Sequence, residues 1–418
     1  MRNYLIFRWN IFGILTQTSK FAILFNYSIK KFKMSLKVLL MAMSMAAGST
    51  FGIVAQSAAV VDVLKEVKAE YAPDTRVAVW SVMAKTVDGV EVLTGDVDNQ
   101  SAKSDILARL DKLNIKFEDR IKILPEATVK GPWALVSISV ACVRGAAASG
   151  AELTSQAIMG TPVRVLKSED GMSMVQTPDE YIGYVTDNSL KFISEEEFYS
   201  WKKADRLVVT ELETSMYEKP KVDNQTIVSD LLLGNILVKK GEKGKYYKVA
   251  TPDGREGFVL KKHAAALEEW ANQTYDFKTI EKNARKMMGR PYLWGGMSAK
   301  MADCSGFVRT SYFSNGIILQ RDASQQALTG KKVDCAAWRT EAEPGDLIFI
   351  GSTSGKVTHV AMYVGGGKYI HSSGRVKVNS MDPKADDYLD YHFISMSRIN
   401  NEVGTKGIVS VKNHPWYF

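Results

Sequence analysis

Two stretches of this chain are written on one template, and that repeat constrains the fold more than any other feature. Val163-Arg-Val-Leu-Lys, then Val175-Gln-Thr-Pro-Asp-Glu-Tyr-Ile-Gly-Tyr-Val, recurs as Ile236-Leu-Val-Lys-Lys, then Val249-Ala-Thr-Pro-Asp-Gly-Arg-Glu-Gly-Phe-Val. Each copy has short β-rich runs, a Thr-Pro-Asp turn and a closing Gly-aromatic-Val strand. Runs this short, joined by tight turns, suit small barrels. The repeat predicts two of them in tandem, at 131–202 and 205–268.

The flanking regions follow other patterns. Residues 59–130 read as a small α+β unit with strands at 77–82 and 90–93. Its helix, at 104–113, has Ile106, Leu107, Leu110 and Leu113 at helical spacing. Asp98-Asn99-Gln100-Ser101 supplies a turn and a cap before that helix, and no catalytic grouping is expected in this unit. Residues 269–400 form a further domain. Lys278 to Met288 predicts a helix with Ile280, Ala284, Met287 and Met288 on one face, ended by Gly289 and Pro291. A second helix opens near Cys304, and strands are expected at 346–350, 358–364 and 368–371. A helix ahead of an antiparallel sheet is an α+β domain. Residues 401–418 are read as a C-terminal tail.

The formal charge of +8 invites a polyanionic partner, but its distribution argues against one. Arg2, Arg8, Lys20, Lys30, Lys31, Lys33 and Lys37 lie in an N-terminal stretch without a single acid; taking those seven charges from +8 leaves +1 for the rest. No nucleic-acid partner is expected. Met34-Ser-Leu-Lys37, the apolar run to about Val54 and the small residues at 55–59 have the tripartite pattern of a secretory signal. The reading is therefore a signal and extension over 1–58, with Met34 as the expected start. The product is exported, to the periplasm or beyond. The earlier apolar stretch at 11–23 is broken by Thr16, Gln17, Thr18, Ser19 and Lys20 and is too short to span a bilayer. No Cys precedes Cys142, so neither a lipidated Cys nor a stable membrane anchor is expected. The cysteines are Cys142, Cys304 and Cys335, too few for a disulfide scaffold, and an odd count leaves at least one thiol free.

Cys304 is the thiol best placed for chemistry. Asp303-Cys304-Ser305-Gly306 opens a helix, where the dipole favours thiolate. His359 lies in an alternating strand that runs into Gly365-Gly366-Gly367 and then Lys368-Tyr-Ile-His371. A three-glycine loop would pair Val364 with Lys368, putting His371 opposite Ala361 and diagonal to His359 on one face. Two imidazoles so placed suit a base and its orienting partner. A metal site would need three or four ligands, and no Cys-x-x-Cys or His-x-x-x-His spacing exists, so no metal or other cofactor is expected.

Several motifs then fall into an order that resembles one family. Gly289-Arg-Pro-Tyr-Leu-Trp-Gly-Gly296, Asp303-Cys-Ser-Gly-Phe307, Arg321-Asp322, Gly345-Asp346-Leu347, Thr358-His-Val-Ala-Met-Tyr-Val364 and Tyr369-Ile-His371 together resemble an NlpC-family cell-wall cysteine peptidase. The repeated segments resemble bacterial SH3 domains. The whole arrangement is similar to γ-D-glutamyl-L-diamino acid endopeptidases of the dipeptidyl-peptidase VI type. The implied fold is α+β: a papain-like catalytic domain preceded by two SH3-like barrels and a small α+β domain.

The resemblance implies roles residue by residue. Cys304 would be the nucleophile, His359 the base and His371 its orienting partner. Tyr292 would help hold the oxyanion, with the Cys304 amide as a second donor. Trp294 would wall the cleft, with Ser305 beside the nucleophile. Asp322 would hold the substrate's free amine, although Ala323 intervenes before Ser324 where some relatives have Ser directly. Glu152 and Tyr181 match residues of the first barrel that complete the amine pocket. The implied partners are peptidoglycan stem peptides, L-Ala-γ-D-Glu-diamino acid, acted on by a monomer. An amidase or acyltransferase on the same scaffold, or a non-catalytic wall-binding protein, are the other readings.

Overall fold

The structure, a computed structural model, describes residues 58–418. The stretch read as an export signal, up to residue 57, lies outside the described residues. The helix Ala58–Tyr71 buries Val60, Val63, Leu64 and Val67, an amphipathic face that clusters with Ala102, Ile106 and Leu110 of the helix Gln100–Lys112. Asn99 caps the second helix, its side chain accepting from the Ser101 and Ala102 amides, so the helix starts a turn earlier than its apolar periodicity suggests. Strand Val90–Val97 runs parallel to Phe117–Ile123. Over 77–82, expected as a strand, the chain turns at Val77 and Ala78 and Trp80 forms an isolated bridge to Val97; Met83–Val87 is the strand instead. Val79 and Val82 are buried as an apolar run demands, but the Val79 amide goes to the Asp98 carboxylate, so no ladder forms there.

The two repeats form sheets of identical topology. With the strands of each counted in chain order, both seven-stranded sheets run 7-1-4-5-6-2-3. Val175 pairs with Gly183 in the first barrel, and Val249 with Gly257 in the second. Each has a bulge at the same place in its fourth strand, between Val165 and Lys167 and between Lys239 and Gly241. Each barrel has a core of aliphatic residues, Val136, Val143, Val165, Val175 and Val185 in one and Val209, Leu231, Leu237, Val249 and Val259 in the other.

The C-terminal domain is a six-stranded antiparallel sheet in the order Lys331–Val333, Phe393–Arg398, Leu347–Gly351, Val357–Gly365, Lys368–Ser373, Arg375–Ser380. The helix Cys304–Phe313 shares its core, burying Phe307, Val308 and Tyr312 with Phe349, Val360 and Met362. The helix Phe277–Lys286 buries Ile280 and Ala284, and Met287 at its C-cap is buried with them; Met288, expected on the same face, is 45% exposed. The helix ends at Lys286, and Gly289, at φ +81°, turns the chain away. Residues expected as a tail are packed: Ile408–Ser410 pairs with Ile317–Leu319, and Val411 and Tyr417 are buried beside Trp201 and Trp270.

Candidate active site

Asp303 sets the start of the central helix. Its Oδ1 accepts the Gly306 amide at 2.7 Å and its Oδ2 accepts the Gly295 amide at 3.0 Å. Arg321, only 1% exposed, drives both ends of its guanidinium into the same carboxylate, at 2.5 and 3.2 Å, and also donates to the Ser305 hydroxyl at 2.9 Å. Cys304 thus becomes the first helical residue, buried, with its sulfur accepting the backbone amides of Val360 and Ser305. Burial pushes the thiol up to about 11, with Asp303 adding to the effect, and the two amides and Arg321 do not offset it. The resting group is a neutral thiol, not the thiolate that the helix dipole alone suggests. Desolvation at a closed helix start outweighs a fraction of a charge.

The histidines meet as the register predicts, through a different turn. Met362 pairs with Ile370 and Tyr363 with Tyr369, but at the loop Gly365 pairs with Lys368. Gly366 and Gly367, at φ +60° and +71°, make a two-residue turn, and the register shift just before Gly365 absorbs the third glycine. His359 Nε2 lies 2.8 Å from His371 Nδ1, and His371 Nε2 lies 3.0 Å from Asn379 Oδ1. Asn379 Nδ2 donates to the Asp387 carbonyl, which fixes Oδ1 as an acceptor. His371 must then donate from Nε2 and accept at Nδ1, and His359 must donate from Nε2. That leaves His359 Nδ1 as the unprotonated nitrogen, one residue from the Val360 amide on the thiol. Burial holds His359 down to about 3, with His371 and Lys377 acting the same way, and His371 down to about 4 despite Asn379. Both imidazoles are neutral at working pH.

On the other side of the thiol the first barrel supplies a wall. Its strand Leu153–Ile158, with Glu152 just ahead of it, runs along the loop before the central helix. Glu152 Oε1 accepts the Trp294 indole N–H at 2.8 Å, Gln156 Oε1 accepts the Met297 amide at 2.8 Å, and the Ser155 hydroxyl accepts Arg321 Nε at 3.0 Å. Gly295 lies between, at φ +73°, where a Cβ would sit 2.2 Å from the Leu153 carbonyl oxygen; only glycine fits. Trp294 is 63% exposed. Tyr292 is half-buried, its hydroxyl pushed up by burial and by Cys304 and Asp303, so it is a neutral donor near the sulfur.

The remaining expected residues divide. Tyr181 is buried, and burial together with Asp322 pushes its hydroxyl up to about 12. Ser305 is 3% exposed with its hydroxyl donating to Asp303 and accepting from Arg321, so it belongs to the helix-start network rather than to open cleft. Asp322 N-caps the short helix Ala323–Gln326, and its Oδ2 accepts Arg76 Nη1 at 2.9 Å. Arg76, Arg321 and Asn379 were not among the expected site residues. Asn379 had a signal in the alternation of Arg375-Val-Lys-Val-Asn379, which puts it on the His371 face. Arg76 had none. Among the described residues no group of three or more His, Cys, Asp or Glu is placed to hold a metal ion.

A helix-start thiol and a neutral imidazole on the facing sheet are the parts of a cysteine nucleophile and its base. Residues 289–398 match the NlpC/P60 family, and residues 143–190 match the bacterial dipeptidyl-peptidase SH3 domain. The chain carries an NlpC/P60 domain with a bacterial dipeptidyl-peptidase SH3 domain ahead of it, and it is a peptidase. It is similar to the γ-D-glutamyl-L-lysine dipeptidyl-peptidase of Bacillus cereus, 28% identical over 53% of this chain and 67% of that protein. It is also similar to dipeptidyl-peptidase 6 of Lysinibacillus sphaericus, 26% identical over 56% of this chain and 85% of that protein. Against the γ-D-glutamyl-L-lysine dipeptidyl-peptidase of Bacillus subtilis identity is 39%, over 33% of this chain and 44% of that protein. The crystal structure of an NlpC/P60 family protein from Bacillus cereus shares the fold, with a TM-score of 0.55 at 23% identity, covering 64% of this chain and 99% of that one.

Proposed function

We propose that the protein hydrolyses the bond between γ-D-Glu and the following diamino acid in peptidoglycan stem peptides, after export, and that it requires a free N-terminal L-Ala. What supports the reading is the His359–His371 relay together with a first barrel whose Glu152 bonds Trp294 and whose Tyr181 lies within electrostatic reach of Asp322. The names of the Bacillus cereus and Bacillus subtilis relatives support the same bond.

The neutral relay sets the sequence of proton movements. His359 Nδ1 takes the Cys304 proton as the sulfur attacks the γ-carbonyl carbon, and the Nε2–H bond to His371 stabilises the imidazolium that forms. Tyr292 and the Cys304 amide, which has no intrahelical partner at the first helical position, are the donors for the oxyanion. Collapse breaks the C–N bond, and His359 returns the proton to the leaving amine. Water then attacks the thioester, losing its proton to His359, and the dipeptide leaves as the thiol is restored. At the far end, Asp322 and Glu152 receive the ammonium in charge-assisted hydrogen bonds.

Mass spectrometry of products from L-Ala-γ-D-Glu-diaminopimelate tests the reading. L-Ala-D-Glu and free diaminopimelate are expected. Transfer of the acyl group to an added amine in preference to water would establish the acyltransferase reading instead, and release of ammonia from the α-amidated peptide, with the γ-D-Glu–diaminopimelate bond left intact, the amidase reading. No reaction from a folded protein would leave only wall binding. Cys304→Ala should abolish turnover, whereas Cys142→Ala, on the exposed face of the first barrel, and Cys335→Ala should not.

A further inference from the structure

The N-terminal unit has no catalytic grouping of its own, yet it sends one side chain to the cleft. Contacts lead outward from the nucleophile in sequence. The Ser305 hydroxyl accepts Arg321 Nη1, which lies 3.8 Å from Asp322 Oδ1, while Asp322 Oδ2 accepts Arg76 Nη1. One oxygen of Asp322 therefore faces Arg321 and the other Arg76, so the carboxylate links the arginine of the helix-start network to the N-terminal unit. Arg76 Nη1 also donates to the Ser324 hydroxyl at 2.9 Å.

Arg76 is held too firmly to be a swinging plug. Its Nε and Nη2 fork onto Asp74 at 2.8 and 2.7 Å, and Asp74 Oδ2 also accepts Nε2 of the buried Gln325 at 2.9 Å. Its carbonyl accepts the Ile182 amide at 2.8 Å, next to Tyr181, so the backbone is pinned to the first barrel as the side chain is pinned to the catalytic domain. Asp74 balances part of the guanidinium charge, so Asp322 is not the sole counter-ion of Arg76. The three side chains are 28 to 37% exposed, so they form a rim and not a buried core.

We infer that Arg76 is a specificity-determining residue that ends the cleft at the substrate's terminal amine, an inference that rests on the free-amine reading above. It fixes the position of Asp322 beside that amine and fills the space that a preceding residue, an acyl group or a sugar would need. A planar fork is required: a lysine ammonium has one point of charge and cannot bridge Asp74, Asp322 and Ser324 at once.

The test compares kcat/KM for L-Ala-γ-D-Glu-diaminopimelate and its N-acetyl form in the full chain, for wild type, Arg76→Ala and Arg76→Lys, with thermal unfolding as the check on folding. The ratio of free-amine to acetylated rates is expected to fall at least about tenfold in Arg76→Ala, through a gain on the acetylated substrate, and by less in Arg76→Lys. A ratio unchanged from a discriminating wild type would overturn the role of Arg76 and leave the free-amine reading standing. A rise in the free-amine rate alone would also overturn it, making Arg76 a competitor for Asp322. A wild-type ratio near one would sink the free-amine reading itself. Should Arg76→Ala fail to fold, Arg76→Lys decides alone: an unchanged ratio overturns the inference and a lowered one supports it.

Discussion

The two barrels are the same object put to different use. Their strand order, their bulges and their Thr-Pro-Asp turns coincide, down to the Thr177 hydroxyl bonding Asp179 and the Thr251 hydroxyl bonding Asp253. What differs is where the turn points. In the first barrel Asp179 forms an ion pair with Arg309 of the central helix at 3.1 Å, both nearly inaccessible, and the turn carries Tyr181 to within electrostatic reach of Asp322. In the second, Asp253 pairs with its own neighbour Arg255 at 2.8 Å, at the surface, and Arg255 reaches across to the Ser137 carbonyl of the first barrel. One fold serves as a wall of the active site and the other as a brace, and the two or three residues after the proline decide which.

The largest difference should lie in stability. Asp179→Ala strands Arg309 without its partner in a dry site and should cost about 3 kcal/mol, the low end for a broken buried pair because the contact is an ion pair without good hydrogen-bond geometry. Asp253→Ala removes an exposed pair and a turn bond and should cost about 1 kcal/mol. Denaturant unfolding of both variants would show it. Equal losses would mean that the first turn is no more tightly bolted to the catalytic helix than the second is to its own barrel.

Activity should separate the turns next. Tyr181→Ala removes a buried neutral hydroxyl and an aromatic wall beside Asp322 and should lower kcat/KM on the free-amine tripeptide by about 10- to 100-fold. Arg255→Ala, at the equivalent position, should leave kcat/KM at the wild-type level. A kinetic defect in Arg255→Ala as deep as that of Tyr181→Ala would break the comparison.

The pH profile sharpens it further. With His359 held down to about 3 and the Cys304 thiol up to about 11, the relay keeps one protonation state over the whole working range. The substrate's α-amine, near 7.7–8.0 when free, is then the group that titrates, so kcat/KM should fall about tenfold per unit above about pH 8. The N-acetyl peptide should lack that limb. If it shows the same limb, the first barrel's pocket does not read charge. Folding stability has the opposite sign: the unfolded histidines, near 6.5, take up protons that the native His359 and His371 refuse, so stability falls as pH drops from about 6.5 toward 4.

Much of this was legible from local pattern. The repeat predicted two barrels because its turn and strand signals are short-range, and the alternation around His359 and His371 placed both on one face whatever the turn did. Asn379 was within reach of the same reasoning one strand further on. The bulge at Gly365 was not, because three glycines permit either turn. Arg76 and Asp322 are 246 residues apart, and nothing in the composition of the N-terminal unit marks one arginine for the cleft. The state of the thiol was hidden for a related reason: helix position is written in the sequence, whereas burial against Val360 and Asp303 comes only from the packed fold.

The smallest effect tests whether the turns differ by function or by accident. Glu180 sits at φ +68° where the second barrel has Gly254 at φ +89°. A non-glycine residue there carries conformational strain of about 1 kcal/mol or more, partly offset because glycine loses more entropy on folding. Glu180→Gly keeps both backbone bonds of the turn, from its amide to Thr177 and from Gln176 to its carbonyl, and removes only an exposed side chain. It should stabilise the first barrel by about 0.5 kcal/mol. Gly254→Glu should destabilise the second by a similar amount, since an added Cβ there meets nothing within 4 Å and the cost is conformational alone. Thermal unfolding of the two variants, read with kcat/KM, decides what the strain is for. If Glu180→Gly gains stability and keeps activity, the strain is incidental. If it gains stability while KM for the free-amine tripeptide rises, the left-handed glutamate is what aims Tyr181 at the pocket.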